Sequence, residues 1–161
     1  MNKQKDIKMS NEFMQVMAGK LKVDECKHLG KKKKPKAVSK NRTEGQEQAA
    51  IFTWANQSLG KYPELKLLFA IPNGGSRHMI EAVNLKRQGV KSGLPDMFLP
   101  VPKGSFYGLW IELKVGKNKT SENQDKWLYE LCSQGYRCEV CYGFDEAVSV
   151  LKDYLGEVAN G

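Results

Sequence analysis

Gly93-Leu94-Pro95-Asp96 and, sixteen residues beyond Asp96, the triplet Glu112-Leu113-Lys114 decide how this chain folds. Asp96 opens one apolar run, and Glu112 and Lys114 stand two apart in the next. Side chains alternate faces along a strand, so Glu112 and Lys114 point one way while Ile111 and Leu113 point the other. Residues 96–101 and 108–115 therefore read as two strands joined by a loop at Lys103-Gly104-Ser105. Folding that hairpin brings Asp96 to the Glu112 end of the second strand. Two carboxylates and an ammonium then meet at the rim of a sheet. Burying such charges without partners is costly. A hard divalent cation held by oxygen ligands removes the cost and suggests a reaction.

Working outward, the local signals give the remaining elements. Ser121 is a helix N-cap, and the helix is expected to run through Leu131 and to end near Gly135. Residues 136–142 read as a strand, and 145–155 as a closing amphipathic helix. Upstream, Thr43 with Gln46 three residues later suits a capping box. That helix is expected to run toward Leu59 and stop at Gly60. Residues 66–71 read as a short apolar strand, Pro72-Asn73-Gly74-Gly75 as a loop, and 78–88 as a helix ending at Gly89. Strands and helices mixed in this order imply an α/β fold, a central sheet covered by helices on both faces.

Residues 1–42 differ from the rest. The run Lys31-Lys32-Lys33-Lys34-Pro35-Lys36 cannot build a core and reads as a flexible basic arm, a solvated tail or a grip on phosphate. Phe13, Met14, Met17 and Leu21 have the spacing of a short amphipathic helix ahead of it. The folded domain is expected to occupy 43–161. The 161 residues carry a net charge of +8, which at this size points to an acidic partner such as nucleic acid, or else to a merely basic surface. No apolar run approaches the ~18 residues of a membrane span. Lys3 and Lys5 have no apolar stretch behind them, so a secretory signal is not expected and a reducing, cytoplasmic setting is. Cys138 and Cys141 form a C-x-x-C, but three residues apart on a strand they face opposite sides. Buried thiols are the expectation, against a zinc or redox site.

With these residues in place, the chain resembles the VRR-NUC branch of the PD-(D/E)xK nucleases, the restriction-endonuclease-like superfamily. The resemblance is carried by Glu44 near the first helix start, Ile71-Pro72-Asn73-Gly74-Gly75, Gly93-Leu94-Pro95-Asp96, Trp110-Ile111-Glu112-Leu113-Lys114, and Gln124 with Trp127. It spans about residues 43–155. It implies a restriction-endonuclease-like core, a central mixed four-stranded sheet flanked by helices, and metal-dependent cleavage of DNA phosphodiester bonds. Asp96 and Glu112 are the implied Mg²⁺ or Mn²⁺ ligands, joined by the main-chain carbonyl of Leu113 and by Glu44. Lys114 is placed beside the attacked phosphate, and Gln124 near the lysine or a metal-bound water. Compact members of stand-alone phage and bacterial type resemble resolvases of branched DNA, which implies a homodimer acting on four-way (Holliday) junctions in a bacterial or phage-infected cell.

Each position also has a plainer reading. Asp96 suits a turn after proline. Glu112 and Lys114 suit an exposed strand face with a weak ion pair. Glu44 suits the first turn of a helix. Glu44 heads a stripe continued by Gln48, Ile51 and Ala55, whereas the competing acid, Glu47, is expected on another face. Gln124 suits a helix surface, and Trp127, Leu128 and Leu131 suit a core. Asn73, Arg77, His78, Lys86, Arg87, Lys91 and Lys103 form a candidate nucleic-acid track toward the Asp96 turn, or a solvated basic surface. Phe106 and Tyr107 are candidates for stacking on unpaired bases. The competing functions are a non-catalytic nucleic-acid-binding module and a non-selective or nicking nuclease.

Overall fold

A computed structural model of the protein describes residues 42–72 and 84–156. The basic arm, the short helix before it, the loop from Asn73 and the first part of the 78–88 helix lie outside the described residues; 84–87 are helical.

Alternation along Leu109–Lys114 sets the two layers of the molecule. Leu109, Ile111 and Leu113 are buried on one face, where Met97, Leu99 and Cys141 of the neighbouring strands join them. That face is covered by two helices, α1 (Glu44–Gln57) and α3 (Gly143–Leu155), through Ile51, Ala55, Ala147, Leu151 and Tyr154. The other face carries Trp110, Cys138 and Val140 under Leu128, Leu131 and Cys132 of α2 (Glu122–Ser133). Cys138 and Cys141 are thus buried on opposite faces of one strand, and burial pushes the Cys138 thiol up to about 12.

The sheet has four strands in the order β1 (Phe69–Ala70), β2 (Met97–Leu99), β3 (Leu109–Lys114), β4 (Arg137–Tyr142). β1 and β2 pair antiparallel, as do β2 and β3, with Met97 opposite Ile111 and Phe98 opposite Trp110. β3 and β4 pair in parallel, with Glu112 opposite Val140. A parallel pair needs a crossover, and α2 supplies it. The sheet is therefore mixed, with helices on both faces, as expected. One cross-strand row is aromatic: Phe98 stacks on Trp110 at 4.1 Å between centroids, and Phe69 meets Phe98 edge-on at 5.8 Å.

Local chemistry explains the boundaries. Thr43 Oγ1 accepts from the Gln46 amide and Gln46 Oε1 accepts from the Thr43 amide, which completes the expected capping box. The helix ends at Gln57, two residues before Leu59. The expected strand over 66–71 is shorter than its apolar run. Pro63 opens a 3₁₀ turn, Pro63–Leu67, that buries Leu65, and the following Leu68 is buried too. That three-residue spacing matches the 3₁₀ period and leaves only Phe69 and Ala70 to pair with β2. α3 begins two residues earlier than Asp145, at Gly143, whose φ of 77° only glycine adopts readily. No helix among the described residues is long and apolar enough to cross a membrane.

Candidate active site

The antiparallel register of β2 and β3 carries the hairpin chemistry. Met97 pairs with Ile111, so Asp96, one residue before β2, reaches the Glu112 end of β3. Asp96 Oδ2 accepts a 2.8 Å hydrogen bond from the main-chain N–H of Leu113. Leu113 thus joins the site through its backbone, while its side chain is buried in the opposite core.

Glu112 is fully buried and Lys114 is 6% exposed. Lys114 Nζ donates to Glu112 Oε1 at 2.5 Å, and Gln124 Nε2 donates to the same oxygen at 2.5 Å. Glu112 Oε2 is buried with no hydrogen-bond donor among the described residues. The exposed strand face considered for this pair is not what the fold builds. Burial drives the Glu112 carboxyl up to about 7; the Lys114 bond opposes this, and the charges of Asp96 and Glu44 reinforce it. Asp96 is raised as well, by burial first, against the Leu113 N–H and the Lys114 charge. Burial works against the Lys114 ammonium, yet its bond to Glu112 and the charges of Glu112, Glu44 and Asp96 hold it above the ordinary lysine value.

Gln124 does two jobs. Its Oε1 accepts from the Ser121 amide at 2.9 Å, closing the capping box of α2, and its amide nitrogen holds Glu112. It bonds the carboxylate directly, where the lysine or a water was expected as its partner.

The first helix corrects one expectation. The buried stripe of α1 is Glu47, Ile51 and Ala55, so Glu47, not Glu44, heads the inward face. Glu47 is spent there, because its Oε2 accepts from the Phe144 amide at the start of α3, at 2.9 Å. Glu44 stands at the rim, where its carboxylate accepts from Asn118 Nδ2 at 3.3 Å and its charge is felt at Asp96, Glu112 and Lys114.

The basic candidates divide. Lys86, Arg87 and Lys91 are exposed along the approach to Ser92 and Asp96. Lys103 belongs to the hairpin loop, at the other end of β3 from Lys114, and is bound to Glu64 at 3.0 Å. A six-residue strand separates those ends by roughly 16 Å, so Lys103 does not join the track. Phe106 packs against the core and Tyr107 is exposed at that same distant end. Asn73, Arg77 and His78 lie outside the described residues.

Trp127 is not core. It is half-buried, and its indole N–H donates to the carbonyl of Ser92 at 3.0 Å. Asn123 donates to the same carbonyl at 2.7 Å. Neither Ser92 nor Asn123 was singled out by sequence, although Asn123 and Trp127, four residues apart on a capped helix, share a face.

These atoms can be tested against a divalent cation. The donor set is hard oxygen: Glu112 Oε2 is a buried acceptor lacking a donor among the described residues, and the Asp96 carboxylate is close enough for its charge to be felt at Glu112. Among the described residues no three His, Cys, Asp or Glu side chains form a ready cage. That fits Mg²⁺, which is held by one or two carboxylates and keeps several waters.

The model of the VRR-NUC domain family matches residues 31–145. Among solved structures, a chain described as a VRR_NUC domain protein superposes with a TM-score of 0.62 at 30% sequence identity, covering 72% of this chain and 90% of that one. No curated protein matches.

Proposed function

Because the chain belongs to the VRR-NUC domain family and so carries a nuclease-type domain, we propose that it is a metal-dependent DNA endonuclease selective for branched DNA, acting as a homodimer on four-way junctions. One observation carries the reading: Asp96, Glu112 and Lys114 converge on a single face, with Glu112 buried and one of its oxygens lacking a donor among the described residues.

Asp96 and Glu112 would hold Mg²⁺ or Mn²⁺ with the Leu113 carbonyl, and Glu44 at the rim would hold a metal-bound water. Bound there, such an ion lowers the pKa of a water and screens the phosphoryl charge. The rest falls to the chain itself. Gln124 fixes the Glu112 rotamer from α2, and the Leu113 N–H fixes Asp96. Lys114 stays protonated, so its role is electrostatic: its ammonium donates to a phosphoryl oxygen as negative charge builds during in-line attack. No covalent enzyme intermediate is needed. Symmetric cuts across a junction call for two such sites, hence the dimer. Lys86, Arg87 and Lys91, which are exposed and precede Ser92, are the proposed track for a phosphate backbone.

The test uses labelled four-way junction, flap, single-stranded and linear duplex DNA, with Mg²⁺, Mn²⁺ or EDTA, beside Glu112→Ala. Paired symmetric cuts in the junction alone, lost in EDTA and in the variant, support the full proposal. Cutting of every substrate keeps the nuclease and removes the selectivity. Binding without cutting under any metal leaves a nucleic-acid-binding module. Asp96→Ala and Lys114→Ala are expected to abolish cleavage while leaving DNA binding.

A further inference from the structure

Gln124, which holds Glu112, sits between two residues that grip one main-chain atom. Asn123 Nδ2 and Trp127 Nε1 donate to the Ser92 carbonyl at 2.7 and 3.0 Å, and Asn123 Nδ2 also lies 3.5 Å from Ser92 Oγ. Both donors come from α2, one turn apart. The next residue, Gly93, has a φ of +81°, and a Cβ built there would lie 2.4 Å from Asn123 Nδ2. The Asn123 amide therefore rests directly on the glycine backbone, with no room for a side chain between them.

Three residues on stands Asp96. Its carboxylate accepts from Leu113 and its main-chain carbonyl accepts from the Ile71 amide at 2.8 Å. The first turns of α2 thus touch both halves of the site: Gln124 fixes Glu112 on β3, while Asn123 and Trp127 fix the turn that delivers Asp96. Both contacts to Ser92 lie at an exposed surface, away from the two hydrophobic clusters. A single donor satisfies a carbonyl at a surface that water also reaches, so the second donor adds orientation more than burial.

We propose that Asn123 and Trp127 are positioning residues that lock the 92–96 turn to α2 and thereby set the spacing between the Asp96 and Glu112 oxygens. The inference rests on the metal-dependent reading above. Groups that orient metal ligands from behind change metal affinity by roughly 10–100-fold when removed. The experiment compares the full chain with Asn123→Ala and Trp127→Phe, which keeps an aromatic side chain and loses the indole N–H. Four quantities are read: metal-free Tm, the Tm increase on adding Mn²⁺, the Mn²⁺ concentration for half-maximal cleavage, and DNA affinity in EDTA. Expected are a rise of about tenfold in the half-maximal concentration and a smaller Mn²⁺-induced Tm increase, with metal-free Tm and DNA affinity held. Trp127→Phe decides the matter if Asn123→Ala lowers the metal-free Tm. An unchanged metal requirement in both variants overturns the inference while the nuclease stands. Failure of the unaltered protein either to cut DNA or to gain stability from Mn²⁺ overturns the reading beneath it, and the inference with it.

Discussion

Glu112 keeps one oxygen on two donors and the other, among the described residues, on none. Its carboxyl lies at about 7 against an ordinary 4.5, with burial as the chief cause. The unfolded chain releases this proton near 4.5 and the folded chain near 7. Between those values the folded state binds more protons, so stability falls as pH rises through the window and is level on either side. Asp96, also raised, adds in the same direction. The order of magnitude is about 3 kcal/mol for a shift of this size. Metal-free protein is therefore expected to lose Tm from about pH 5 to pH 8, Glu112→Gln to flatten the curve, and Mn²⁺ to restore Tm at the alkaline end. Urea or thermal unfolding across pH checks this, and parallel curves for the two proteins would sink it. The same group explains why a divalent cation suits the site: an ion adds favourable interaction to the ionised form that burial opposes.

Among the elements, α3 has an N-cap residue, Tyr142, whose side chain makes no cap bond. Its leading amides are satisfied by carboxylates, the Tyr142 N–H by Glu146 and the Phe144 N–H by Glu47 of α1. Glu47→Ala leaves the Phe144 N–H without its partner in a half-buried setting and is expected to cost about 1–3 kcal/mol in denaturant unfolding, with cleavage per folded molecule retained. Glu44→Ala is expected to do the reverse, weakening cleavage with stability nearly unchanged; equal effects of the two variants would remove the distinction drawn here. Both capped helices and the hairpin were legible in the sequence, because capping boxes and strand alternation act within a few residues. The place of β1 was legible but its length was not, since an apolar run carries no period and the 3₁₀ turn after Pro63, with its cap Leu68, takes the first half of residues 66–71. Glu47 was misjudged because the stripe of α1 depends on where α3 lies, which no local signal specifies. Trp127 looked like core because an aromatic on a helix face reads so until its indole finds an acceptor. Lys103 was placed by closeness in sequence, although a hairpin sends its loop to the end opposite its open strands. The clustering of Asp96, Glu112 and Lys114 was legible because alternation and register alone produce it.

At the scale of the molecule, the net charge of +8 is concentrated in the sequence ahead of Arg42, which includes the run 31–36. If the proposed DNA contacts use this charge, affinity falls steeply with salt: four phosphate contacts give about a hundredfold loss between roughly 50 and 200 mM. Titrating salt against labelled junction DNA checks it, and a flat response would place recognition elsewhere than on phosphates. The aromatic row has a practical consequence. The chain has three tryptophans, and each lies in a different element: Trp54 on α1, Trp110 on β3 and Trp127 on α2. Trp110 stacks on Phe98 two residues before Glu112, and its buried indole N–H has no acceptor among the described residues. An indole so placed emits toward the blue, and a paramagnetic ion beside it quenches that light where Mg²⁺ does not. With Trp54 replaced by phenylalanine and Trp127 kept for its bond to Ser92, loss of the blue edge of the emission on adding Mn²⁺ but not Mg²⁺ would report an ion bound near Glu112.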